Sequence, residues 1–252
     1  MSHRGKPRKR HRGESLARIY GLHAVRAALD NPRRVLHRVL VTRNAAARLE
    51  LEARPARCPV ELASPEAIAA RLPPGAVHQG ALLEAEALPE CDLDDLREAR
   101  LVLALDQVTD PQNVGAILRT AAAFAADALV TTERHAPEAS GALAKAASGG
   151  LEHVPLVTVV NLARTLDELG DRGFTRIGLD SEGEADLEAL VGPEPLVLAL
   201  GAEGKGLRRL TRERCDRLAR LDLPGPIKSL NVSNAAALAL FVASRARRGE
   251  TC

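Results

Sequence analysis

At 252 residues the chain can hold one large domain or two smaller ones, with a sizeable buried core. A composition of 46% hydrophobic and 27% charged residues is that of a soluble globular protein; with no Trp, one Tyr and three Phe, stacking of bases on aromatic platforms is excluded as a main binding device. The net charge of +2 is unevenly placed: residues 1–13 carry Arg4, Lys6, Arg8, Lys9, Arg10 and Arg12 and no acid, leaving 29 basic against 33 acidic residues in the remainder.

A basic arm on a near-neutral body suits attraction to phosphate, the alternative being a solvated, disordered tail with no partner. Cys58, Cys91, Cys215 and Cys252 have no paired spacing, so neither a zinc site nor a disulfide framework is indicated, and a reducing compartment is expected. No apolar run approaches a membrane span, and the N-terminus lacks the apolar segment of a secretory signal. Residues 2–13 also lack the apolar face of a transit peptide, so the cytoplasm is expected.

In chain order, Ile19–Leu29 (IYGLHAVRAAL) reads as a helix stopped by Asn31-Pro32. Val35–Val41 has strand character, followed by helix Asn44–Glu52, strand Pro59–Leu62, helix Pro65–Leu72 and strand Gln79–Leu83. Ala87–Arg100 is acidic and polar, a linker or connecting helix. Beyond it, strands are expected at Leu101–Leu105, Ala128–Thr131, Pro155–Val160, Thr175–Leu179, Leu196–Leu200 and Arg217–Leu223. Helices are expected at Val114–Phe124, Pro137–Ala147, Leu162–Leu169, Leu187–Leu190, Leu207–Cys215 and Val232–Arg247. This alternation predicts an α/β fold with a parallel sheet covered on both faces.

Three polar segments follow apolar runs: Asp106–Arg119 (DQVTDPQNVGAILR), Gly201–Gly206 (GAEGKG) and Pro224–Asn231 (PGPIKSLN). In an open parallel sheet such loops gather beyond the carboxyl ends of the strands, where ligands bind. Asn113 stands where a helix N-cap belongs, and Arg119 lies among small and apolar residues, where it requires an anionic partner or a salt bridge. GAEGKG matches neither the dinucleotide fingerprint nor a P-loop, but its glycines expose backbone donors, and Glu203 favours a cation or hydroxyl donor over a phosphate. Ser229, Asn231, Ser233 and Asn234 supply more capping groups than one helix needs; the surplus serves either substrate positioning or a redundant backbone network.

Together these loops resemble the motifs of the SpoU family of RNA 2′-O-ribose methyltransferases, within the SPOUT superfamily. The family patterns DPxNxGAIxRTA, GxEGxG and SLNVS are matched in order by Asp110–Ala121, Gly201–Gly206 and Ser229–Ser233. Ile19-Tyr20-Gly21 and His78-Gln79-Gly80 more weakly resemble the substrate-binding module of the 23S rRNA guanosine members, whose fold is similar to ribosomal protein L30e. The resemblance implies a C-terminal parallel-sheet domain with a trefoil knot over residues 101–252, an L30e-like α/β domain over 16–86, a linker over 87–100 and a basic arm over 1–15. It further implies S-adenosyl-L-methionine as methyl donor, no metal, an obligate homodimer, and RNA as substrate, with 23S rRNA favoured over tRNA.

Carried over by position, Arg119, Glu203, Asn231, Ser229 and Asn113 match the family's catalytic machinery. Gly201, Leu221 and Leu230 match its largely backbone cofactor contacts. Leu221-Asp222-Leu223 departs from the Ile-Pro-Met common in the family, and Ala125-Ala126 stands where a Gly often follows the Phe. The implied reaction is in-line attack of a ribose 2′-oxygen on the donor methyl, with Arg119 anchoring phosphate and stabilising the oxyanion, since arginine stays protonated in water. An inert RNA-binding protein on the same fold is the rival reading. A Rossmann-type dehydrogenase is opposed by the missing GxGxxG.

Overall fold

The computed structural model describes residues 16–53, 55, 57–134 and 141–249. The basic arm and part of the expected helix Pro137–Ala147 lie outside them.

The N-terminal unit is built from β1 (Leu16–Tyr20), α1 (Leu22–Asp30), β2 (Leu36–Val41), α2 (Arg43–Leu49), β3 (Val60–Leu62), α3 (Pro65–Ala69) and β4 (Ala81–Glu86). Its sheet runs β1-β4-β2-β3, antiparallel except for the β2/β3 pair. Here the helix expected over Ile19–Leu29 is corrected: Ile19 and Tyr20 finish β1, and Gly21, at φ 90°, turns the chain into α1. A left-handed φ suits glycine, which has no Cβ to clash. The fragments around Gly21 and Gln79 meet, for the Gln79 side-chain oxygen accepts from the Leu22 backbone N–H at 3.1 Å and caps α1 where glycine cannot.

After a 3₁₀ turn at Leu93–Leu96 come β5 (Leu101–Asp106), α4 (Pro111–Ala123), β6 (Ala128–Thr132), α5 (Gly141–Ala146), a second 3₁₀ turn (Gly150–Glu152) and β7 (Leu156–Val159). Next follow α6 (Leu162–Asp171), β8 (Thr175–Leu179), β9 (Ala185–Asp186), α7 (Leu187–Leu190), β10 (Leu196–Gly201), α8 (Arg209–Glu213), β11 (Arg217–Arg220) and α9 (Val232–Arg247). The sheet order is β7-β6-β5-β10-β8-β11-β9, with every pairing parallel. β10 enters between β5 and β8, both of which precede it in the chain.

Strand alternation divides the core. Leu101, Leu103 and Leu105 of β5 and Leu196, Leu198 and Leu200 of β10 pack against α4 and α9, whereas Val102, Ala104, Val197 and Ala199 face α6. On α4, Val114, Ile117, Leu118 and Ala121 form the apolar stripe of a helix lying on a sheet. Ile117→Ala is expected to cost about 2–5 kcal/mol through lost burial and the cavity left behind. Urea denaturation will show this as a lowered midpoint, while Gln112→Ala on the exposed side of α4 leaves it unchanged.

Candidate functional site

The N-cap of α4 is Asp110, whose carboxylate accepts from the Gln112 N–H at 3.1 Å, with Pro111 in the first turn. This corrects the capping role expected of Asn113: it lies one turn further in, and its side chain is available for other contacts.

The carboxyl ends of β5 and β10 lie side by side, Asp106 opposite Gly201. Asp106 is fully buried and accepts from the Arg208 backbone N–H at 2.9 Å and from Arg208 Nε at 2.6 Å. The loop after β10 is thereby tied to the end of β5 by charge-assisted hydrogen bonds. Gly201 is required where that loop folds back, since a Cβ there would fall inside the backbone of Gly206. At Gly204 and Gly206 the space beyond Cα is open and φ is positive, at 73° and 62°.

The three loops meet at one carboxylate oxygen. Glu203 Oε1 accepts from Asn113 Nδ2 at 3.1 Å and from Asn231 Nδ2 at 2.5 Å, and Asn231 Nδ2 also donates to Asn113 Oδ1 at 3.0 Å. Asn231 Oδ1 accepts from the Ser233 N–H at 2.9 Å and its hydroxyl at 2.6 Å, capping α9. The residue thus uses its donor on the site and its acceptor on the helix, a division open to Asn but not to an ionised Asp.

Between Leu223 and Leu230 the chain makes no backbone–backbone hydrogen bond among the described residues, and Ile227 and Leu230 are exposed. Leu221 packs against the core, while Ser229 is exposed. The Leu223 carbonyl accepts from Lys228 Nζ, and the other backbone amides and carbonyls of the stretch, beside apolar side chains and an open glycine turn, are the set that an adenosine group requires, apolar on its ring faces and polar at its edge. By that criterion the residues fit S-adenosylmethionine.

Arg119 stands apart from this hydrogen-bonded cluster. Six residues beyond Asn113 on α4, it lies about 9 Å along the axis and about 120° around it. It is exposed, with no hydrogen-bond or ion-pair partner among the described residues, and the Glu203 carboxylate is engaged by Asn113 and Asn231 instead. It shares an outward stripe with Gln112, Ala116 and Ala123. Sequence reasoning also missed Asp106 with Arg208, because an acid closing the apolar run LVLALD carries no sign of a partner 102 positions away.

A cleft of about 1480 Å³ lies between the N-terminal unit and the β7 side of the large sheet, and none of the eight residues singled out from sequence lines it. Among the described residues the thiols are poor nucleophiles: burial pushes Cys215 up to about 12 and also raises Cys58 and Cys91. Among the described residues no group of three or more His, Cys, Asp or Glu could hold a metal, and no helix is long and apolar enough to cross a membrane.

The sequence pattern of the SpoU rRNA Methylase family matches residues 100–241, and that of RNA 2′-O ribose methyltransferase substrate binding matches residues 18–91. A 23S rRNA (guanosine-2′-O-)-methyltransferase, RlmB, from Pseudomonas putida is 41% identical over 92% of this chain and 98% of its own length. RlmB from Ralstonia nicotianae is 46% identical over 68% of this chain and 70% of its own. Among solved structures, the SpoU methyltransferase AviRb from Streptomyces viridochromogenes, in complex with the cofactor AdoMet, superposes with a TM-score of 0.79 at 25% identity, covering 98% of this chain and 95% of that one. With its motif loops gathered at one end of a parallel sheet and with these relatives, the chain belongs to the SpoU methylase family.

Proposed function

We propose that this chain is an S-adenosylmethionine-dependent RNA 2′-O-ribose methyltransferase of the cytoplasm that acts on a guanosine of 23S rRNA. The observation that carries the reading is the convergence of Asn113, Glu203 and Asn231, from three separate loops, on one carboxylate beside a backbone-rich, partly apolar loop. The N-terminal unit with its substrate-binding pattern favours ribosomal RNA, as does the 41% identity to RlmB.

When bound, S-adenosylmethionine supplies an electrophilic methyl group on a sulfonium. The Gly201 turn and the backbone at Leu221 and Leu230 hold the donor, and the Asn113–Glu203–Asn231 cluster keeps those loops in register. Ser229, exposed beside them, hydrogen-bonds the ribose. These residues would align the ribose 2′-oxygen with the donor methyl group, the 2′-proton passing to solvent. Arg119 holds the adjoining phosphate and stabilises charge developing on the oxygen, since a guanidinium is a fixed cation with several donors.

The active form is a homodimer. On α9, Leu238 and Phe241 are each 44% exposed, and Phe241 packs edge-on against Phe124 at the end of α4, 6.4 Å between ring centres. This apolar strip adjoins the α4 stripe that carries Arg119, so a second copy seated there brings Arg119 to a cleft completed by both subunits. Titration calorimetry of the full chain with S-adenosylmethionine tests the reading: one site per subunit is expected, and absence of binding leaves only an inert RNA binder.

A further inference from the structure

We propose that Asn31, Arg34 and Glu152 form a positioning joint that seats the N-terminal unit on the turn backing Arg119, and so fixes the angle at which RNA held by that unit reaches the site. The proposal rests on the reading of Arg119 as catalytic.

Glu152 ends the 3₁₀ turn Gly150–Glu152, and its side chain is 4% exposed; that of Arg34 is 5% exposed. Glu152 Oε2 accepts from Asn31 Nδ2 at 2.7 Å and Arg34 Nε at 3.3 Å, and Oε1 accepts from Arg34 Nη2. All these donors come from the segment between α1 and β2. That segment is itself braced: Arg34 Nη1 donates to the Glu86 carbonyl at 2.9 Å, and Arg57 donates to the carbonyls of Leu29, Asn31 and Arg34 at 2.7, 2.8 and 3.0 Å.

The other side of the turn is packed without slack. A Cβ on Gly150 would lie 2.7 Å from the Leu118 carbonyl oxygen and 2.9 Å from the Arg119 nitrogen, while one on Gly149 would strike the Ala27 methyl of α1. The turn is therefore wedged between α1 and the stretch of α4 that carries Arg119. The two units also pack where α5 meets β1, where a Cβ on Gly141 would strike the Arg18 carbonyl oxygen, but that seam is small and apolar, and the joint adds the directional polar contact beside it. A paired guanidinium and carboxylate fix direction as well as distance, whereas an apolar contact of the same size allows sliding.

The test uses the full-length chain. Arg34→Met alone leaves a buried, half-partnered carboxylate and risks unfolding, so the decisive variant is Arg34→Met with Glu152→Met, which removes both charges and keeps the volume. Gly150→Ala, which pushes the turn off α4, and Arg34→Lys accompany it. The expected result is a folded double variant with unchanged affinity for S-adenosylmethionine by calorimetry. Its single-turnover methylation rate at saturating RNA and donor falls by about 10- to 10²-fold, the effect of a displacement of about 1 Å. Gly150→Ala shows the same pattern, the KM for RNA moves less than kcat, and Arg34→Lys retains part of the rate. A folded double variant that turns over like wild type overturns the joint, as does a rate loss fully accounted for by weaker donor binding. Arg119→Ala, run alongside, separates the two claims: if it too is fully active, the reading of Arg119 falls and the joint with it; if it is inactive while the joint variants are active, only the joint falls.

Discussion

Arg119→Ala will lower the methyl-transfer rate by about 10²- to 10³-fold, the usual effect of removing one group that stabilises transition-state charge. Donor affinity and folding will stay at wild-type values. The expectation follows from where Arg119 sits: its guanidinium is exposed on the outward stripe of α4, while the apolar stripe of the same helix, with Ile117, Leu118 and Ala121, carries the packing. It has no hydrogen-bond or ion-pair partner among the described residues that its loss would strand. Truncation therefore removes an exposed cation, the group proposed to meet phosphate and 2′-oxygen, and leaves the helix intact. Lysine at this position restores charge without the planar fork, so partial recovery is expected for phosphate anchoring and little for the aligned oxyanion. Single-turnover kinetics with labelled donor, set beside calorimetry, separates these effects. Loss of donor binding in Arg119→Ala would contradict the assignment.

Gly201→Ala will weaken donor binding by an order of magnitude or more and lower Tm by several degrees. The added methyl would occupy the Gly206 backbone, so the fold-back that pairs Ala202 with Gly206 must open. That movement displaces Leu207, 5% exposed in the core, and pulls on the bonds from Arg208 to Asp106. Overpacking of this kind costs about 1–3 kcal/mol, and each kcal/mol shifts Tm by about 2–4 °C in a chain of this size. Gly204→Ala is the matched control: the space around it is open and only its φ of 73° opposes a side chain, a strain of about 1 kcal/mol. The two variants are to be compared by thermal unfolding with and without donor. A Gly201→Ala protein as stable and as tight-binding as Gly204→Ala would refute the fold-back as the determinant of the cradle.

Where local signals are strong, the chain can be read directly. Val232–Arg247, Thr175–Leu179 and Leu187–Leu190 have in the structure the bounds their caps and periodicity indicate. In the stretch Ile19–Leu29 the apolar residues of β1 run straight into those of α1, and the strand is defined only by β4, some 65 residues later. β9, of two residues, has no periodicity to detect. Asp110 and Asn113 are both capping types, and Pro111 at the first helical position is the cue that selects Asp110.

The site was legible as residue types rather than as bonds. The loops announce Asn113, Glu203 and Asn231, but that their side chains share a single oxygen depends on parallel β5 and β10 ending together. Glu152 and Arg34, 118 positions apart and in no recognisable motif, carry no sequence signal at all. Such long-range polar pairs are fixed by tertiary burial, to which composition and periodicity are blind.

The most direct test of the central claim is mapping, at nucleotide resolution, the ribose methylation of 23S rRNA incubated with the purified chain and S-adenosylmethionine. The account predicts a 2′-O-methyl group on one guanosine, absent when Arg119→Ala replaces the wild type. Methyl transfer to a base, or no transfer to RNA while the donor binds, would contradict it.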